Sequence, residues 1–303
     1  MRSNFISTAP IQIYPRKHGL KCLKGWVTIT YVCHAWREVA LSTSLLWCRI
    51  DVSFGFHNWT PELLRRSKQS LLTIAIDWAV NELERCLLDP LEEMKRHFGR
   101  AHELDVDGVD NAIMYKKISP ESQTNFQNLE ALDIFHVYET SFILNDSHLG
   151  AKRLRSLRLH SCAIDWNSKF LQDLTHLRLV NIPQSCRLGS YDFILILSKI
   201  PALETLHLSD LLENEKVQTH RATKIHLQHL QRLYMESQVP EIAQFLSFLV
   251  HANYLSGALG VKMMLSAINF VSSFLGSRTI FVYQQHPRIV TPAIMNNISE
   301  ASV

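Results

Sequence analysis

The sequence predicts an α/β chain in which a small N-terminal helical module precedes an irregular solenoid built on a parallel sheet. Three observations predict it. Leucine supplies 42 of the 303 residues, against 10 glycines and 10 prolines. A short stretch near the N-terminus places apolar residues at helical steps of three and four. Downstream, a unit of one apolar residue, two others, an apolar residue, one other and an apolar residue recurs along most of the chain. A single such unit cannot bury its leucines, whereas stacked units share one continuous core.

The elements follow in order. Residues 1–20 lack periodicity and contain Pro10 and Pro15, which predicts a disordered or extended N-terminus. From Trp26 to Ala40, Ile29, Val32, Cys33, Trp36, Val39 and Ala40 fall on one face of a helix. Ser42 and Thr43 end it, and Leu45, Leu46 and Trp47 make a second apolar knot, so that 21–48 reads as one helical module. Trp47–Val52 reads as a strand. Thr60-Pro61-Glu62 opens a helix reaching about Lys68, with Thr60 as N-cap and Pro61 at its first position. Leu71–Trp78 alternates as a strand, and Glu82–Phe98 carries Leu83, Leu87, Leu91 and Met94 on one helical face.

The repeat is clearest at Leu129/Leu132/Ile134, Leu154/Leu157/Leu159, Leu174/Leu177/Leu179, Leu203/Leu206/Leu208 and Leu230/Leu233/Met235. Weaker copies are Trp47/Ile50/Val52, Leu71/Ile74/Ile76 and Ala101/Leu104/Val106. The central residues of the eight copies lie 24, 30, 28, 25, 20, 29 and 27 residues apart. Their mean of about 26 lies inside the roughly 20–29 residues of a leucine-rich repeat, the 30-residue step being one over. Return segments are expected as helices over Asp192–Lys199, ended by Pro201, and over Val239–Val250, started by Pro240 and Glu241. The repeat is degenerate: the turn position that favours Asn or Cys holds Cys162 in one copy but Ile182, Leu211 and Gln238 in others. The repeats therefore span 49–250, and 251–303 is a divergent, helical C-terminal tail.

Charge and motifs narrow the function. The net charge is +3 and no basic cluster exceeds three residues, which argues against a nucleic-acid groove. The cysteines, Cys22, Cys33, Cys48, Cys86, Cys162 and Cys186, form no C-x-x-C pair, and Met1–Leu20 lacks the apolar core of a secretory signal. Reduced, buried thiols in a cytoplasmic or nuclear protein follow. Tyr254–Leu275 is apolar but holds Lys262, Asn269 and several serines, so it reads as a terminal helix and not a membrane span. No H-E-x-x-H, G-x-S-x-G, G-x-G-x-x-G or G-x-x-x-x-G-K motif occurs, so neither an enzyme, a metal nor a cofactor is expected. The histidines near the strands, among them His160, His176, His207, His226 and His229, read as a polar recognition surface.

Thr30, Val32, Cys33, Trp36, Arg37, Glu38, Val39, Ala40, Leu46 and Trp47 set two tryptophans in fixed register with V-C and W-R. This segment resembles the F-box-like proteins of mushroom-forming fungi. Arg49–Val52, Glu62–Lys68 and Leu72-Thr73-Ile74 are similar to the strand, helix and strand that follow the box in that family, and the likeness extends over about residues 26–250. It implies a helical module that docks on a Skp-type adaptor of a cullin–RING ubiquitin ligase, with the repeats presenting a protein substrate. The family's box opens with Leu-Pro and an acidic, leucine-rich first helix, which residues 1–20 do not provide. The module is thus a partial box, and the alternative is a leucine-rich-repeat scaffold that binds protein without recruiting a ligase.

Candidate adaptor contacts are Tyr31, Val32, His34, Trp36, Arg37, Glu38 and Trp47, the two tryptophans serving also as core anchors. Candidate substrate contacts are the outward strand positions Asp133, Arg158, Arg178, His207 and Tyr234, which alternate with buried leucines. Arg158 and Arg178 occupy corresponding slots of two adjacent repeats and suit an acidic or phosphorylated segment.

Overall fold

The computed structural model describes residues 27–52, 59–77, 93–107, 126–135, 143–213, 225, 227–237 and 239–249, together with strand segments 259–262, 280–282 and 293–294. It is an α/β structure with a mostly parallel sheet and few helices. In chain order the strands are β1 (Arg49–Val52), β2 (Leu72–Asp77), β3 (Ala101–Asp107), β4 (Ala131–Phe135), β5 (Ile143–Leu144), β6 (Ser156–His160), β7 (Ala163–Ile164), β8 (His176–Val180), β9 (Leu188–Gly189), β10 (Thr205–Ser209), β11 (Leu212–Glu213), β12 (Arg232–Glu236), β13 (Leu259–Lys262), β14 (Ile280–Val282) and β15 (Ala293–Ile294). The helices are α1 (His34–Ser42), α2 (Thr60–Ser67), α3 (Asp146–Leu149), α4 (Ser190–Leu197) and α5 (Val239–Phe248).

The main sheet runs β1-β2-β3-β4-β6-β8-β10-β12-β13-β14-β15, and only the β14–β15 pair is antiparallel. Two short parallel pairs, β5 with β7 and β9 with β11, lie outside it. The register matches the repeat residue for residue. Ile50, Ile74, Leu104, Leu132, Leu157, Leu177, Leu206 and Leu233, the eight central positions, form one unbroken row of neighbours. Leu259 and Ile280 continue it. All eight are at most 4% exposed, and each buried leucine of this kind contributes about 1.5–3 kcal/mol of apolar burial. Phe193, Ile194 and Leu197 of α4 and Ile242 and Phe245 of α5 belong to the same core, so the return helices cover the leucine face. The Phe193 ring packs against Phe245 at 6.1 Å and edge-on against Trp166 at 5.7 Å.

Backbone bonding recurs with the strands. At the entry end, one carbonyl accepts from two successive N–H groups of the next strand: Glu130 from Arg155 and Ser156, Arg155 from Thr175 and His176, Thr175 from Glu204 and Thr205. At the exit end, Ser161, Asn181 and Asp210 take positive φ values of 55°, 50° and 48°. Their N–H groups reach Val180, Ser209 and Glu236 of the following strands at 2.9, 2.9 and 3.1 Å. Asn and Asp tolerate this left-handed turn better than most residues. The next position turns inward. There Cys162 is buried and donates its S–H to Ile134 O at 3.7 Å, while Ile182 and Leu211 fill the equivalent sites with apolar bulk.

Four expectations are revised. The helix expected over Trp26–Ala40 is broken: a 3₁₀ turn at Thr28–Tyr31 precedes α1, and Cys33 between them is extended at φ −158°, ψ 170°. Leu71 is 48% exposed, and Leu72 takes its buried place where the β2–β3 register shifts at Leu72/Thr73. Thr60 is the first residue of α2, after Trp59 as N-cap, and its hydroxyl is buried without a partner among the described residues. The described parts of 251–303 are strands β13–β15 and not helix. Most of Glu82–Phe98 and all of residues 1–20 lie outside the described residues.

Helix α2 carries a testable electrostatic feature. Glu62 accepts from Arg65 at 2.7 Å and pairs with Arg66, and these contacts, that of Arg65 foremost, hold its carboxyl down at about 2 from the ordinary 4.5. A carboxylate depressed in the folded state adds stability that is fully present above about pH 4.5 and is lost as pH falls towards about 2. The site faces solvent, so the contribution is under about 1 kcal/mol. Glu62→Gln is therefore expected to melt slightly below the parent at neutral pH, the gap closing in acid. Melting curves taken across that range check it; a gap that widens in acid contradicts the sign.

Candidate interaction surfaces

The helical module joins the core through Trp47, with Leu41 and Leu46 packed against that core beside it. Trp47 is 2% exposed, donates its indole N–H to Ala40 O at 2.8 Å and lies 4.2 Å beneath the Arg66 guanidinium. A buried indole needs such an acceptor, and a cation over its face adds to the anchor. Trp47 is therefore an anchor only, and its expected place in a partner-facing strip is corrected. Trp36 behaves in the opposite way: at 55% exposed it is not a core anchor.

Every residue from Tyr31 to Val39 is exposed, and only Ala40 of α1 is buried. Tyr31, Val32, Trp36, Val39 and Leu45 are each 55–75% exposed. Trp36 and Val39 are three apart on one helix and share a face. Arg37 folds back, donating through Nε to Thr30 O at 2.7 Å, while His34 and Glu38 lie 4.0 Å apart on the open side. All six outward adaptor candidates (Tyr31, Val32, His34, Trp36, Arg37 and Glu38) thus fall in one exposed stretch, from the end of the 3₁₀ turn through α1. Val39 and Leu45 belong with them. Helical spacing placed Val39 beside Trp36, but sequence periodicity cannot tell which face of an isolated helix is left uncovered.

The second surface is the outward face of the sheet. Asp105, Asp133, Arg158, Arg178, His207 and Tyr234 are successive register neighbours across β3, β4, β6, β8, β10 and β12. All five substrate candidates lie in this row, half-buried and one strand apart. Arg158 Nη1 lies 3.7 Å from Asp133 Oδ2, and the His207 and Tyr234 rings stand 5.7 Å apart. Beside the row, the Phe135 and His160 rings lie 4.1 Å apart, tilted by 30°. His176 lies at the entry end; burial pushes its imidazole below the ordinary range against the opposing pull of Glu204. The residues missed in the sequence are Glu103 and Asp105, which become visible only once the register is known.

Among the described residues no three His, Cys, Asp or Glu side chains converge to hold a metal ion, and no helix is long and apolar enough to cross a membrane. Of the thiols expected to be buried, Cys162 is, Cys33 is exposed, and Cys48 and Cys186 are intermediate; none of these four is in a disulfide, and Cys22 and Cys86 lie outside the described residues. No family model, curated protein or solved structure matches the chain.

Proposed function

We propose that this chain is a substrate-recognition adaptor of a cullin–RING ubiquitin ligase, in which residues 27–47 dock on a Skp-type adaptor and a leucine-rich-repeat-like solenoid holds a protein substrate. The observation that carries the reading is the strip of Tyr31, Val32, Trp36, Val39 and Leu45, five large apolar side chains more than half exposed within one short module. Exposed apolar clusters on a polar background mark protein-binding sites, and tryptophan is the residue most enriched at their energetic centres. The likeness of Thr30–Trp47 to the F-box-like segment points the same way. The solenoid reading draws support from the leucine row, the repeated exit turns and the inward Cys162. The role of such a protein is positional: tethering raises the substrate's effective concentration near the transferring enzyme, and no residue of this chain needs to react.

Immobilised Skp-type adaptor is expected to capture the full chain, and Trp36→Ala with Val39→Asp is expected to cut capture about tenfold, equivalent to about 1.4 kcal/mol, with an unchanged melting temperature. Capture of the double variant equal to the parent's overturns the assignment of the strip. Failure to capture either chain overturns ligase recruitment and leaves the scaffold reading.

A further inference from the structure

The outward strand face is divided by charge. On β3 and β4 its strand-register charges are Glu103, Asp105, Asp107 and Asp133, all acidic. On β6 and β8 they are Arg158 and Arg178, flanked by the imidazoles of His160 and His176. The bulge residue His102 stands apart at the entry end, with its Nε2 3.2 Å from Glu130 Oε2. The two halves meet where Arg158 lies 3.7 Å from Asp133, and the aromatic pair His207–Tyr234 follows on the basic side. Glu103 and Asp105 are exposed, and the Arg158 side chain is 36% exposed. Neither half follows from the repeat, which fixes only the inward leucines. Strands about 4.8 Å apart place Asp105 and Tyr234, five strand steps apart, at about 24 Å, the span of about seven extended residues at roughly 3.3 Å each.

We infer that this face binds an extended protein segment of bipolar charge, with a cationic stretch over β3 and β4 and an anionic stretch over β6 and β8. Complementary charge order fixes both the register and the direction of such a segment, since reversing it sets like charges together on both halves. A purely acidic or phosphorylated segment satisfies Arg158 and Arg178 but is repelled by the carboxylates beside them. The inference rests on the reading of this face as the substrate surface and specifies the class of substrate.

The test uses fluorescence anisotropy on the full chain at low salt with labelled nine-residue probes. One carries three lysines, three glycines and three glutamates in blocks, and the second has the same composition with lysine and glutamate alternating. A third carries glutamate in place of lysine. The block probe is expected to bind about tenfold more tightly than either of the others, and Arg178→Glu or Asp105→Lys is expected to remove most of that difference. Equal binding of block and alternating probes, or of block and all-glutamate probes, overturns the inference, as does absence of binding at millimolar probe. Circular dichroism melts of both variants exclude misfolding, since each site lies on the outward face. Capture by the Skp-type adaptor is scored in parallel and does not use this face. Loss of probe discrimination with capture intact therefore refutes only the substrate class, whereas failed capture refutes ligase recruitment.

Discussion

Trp47→Ala is expected to destabilise the protein by about 3–5 kcal/mol, the usual range for removing a buried tryptophan. Three contacts go at once: core packing at 2% exposure, the indole hydrogen bond to Ala40 O and the Arg66 guanidinium above the ring. Ala40 O loses its donor, and the helical module loses its seat against α2. Trp36→Ala provides the contrast. Its ring is 55% exposed, and surface substitutions of this kind stay within about 0.5 kcal/mol. Urea denaturation of the two single variants separates them; equal losses of stability in both contradict the assignment of one tryptophan to the core and the other to the surface.

Leu177→Ala is expected to cost about 2–5 kcal/mol. Leu177 is 1% exposed and sits in the leucine row between Leu157 and Leu206. A cavity there touches both neighbouring strands of the parallel sheet. The adjacent Arg178→Ala, one residue on but facing away from the core, is expected to stay within about 0.5 kcal/mol. A Leu177→Ala loss below about 1 kcal/mol in chemical denaturation contradicts a continuous core at this point.

These contrasts mark what was legible in the sequence. Spacing alone located all eight central strand residues, because period-two burial with a fixed repeat leaves one register that buries every leucine. It also named the outward row from Asp133 to Tyr234. What it missed is set by geometry that no local pattern encodes. The separation of Trp36 from Trp47 depends on which part of the module the rest of the chain covers: every residue from Tyr31 to Val39 is exposed, whereas Trp47 is 2% exposed. The substitution of Leu72 for Leu71 depends on a single register shift against β3. The acidic half of the strand face depends on pairing β3 with β4 across 23 intervening residues, and so its charge is invisible until the strands are aligned. Composition likewise gave Tyr254–Leu275 as apolar without revealing that Leu259–Lys262 extends the sheet.

Hydrogen–deuterium exchange on the full chain, with and without a Skp-type adaptor, tests the central claim most directly. The account predicts added protection confined to residues 28–47, with the amides of the strands from β1 to β12 unchanged. Protection spread over the strand face, or none anywhere at saturating adaptor, contradicts it.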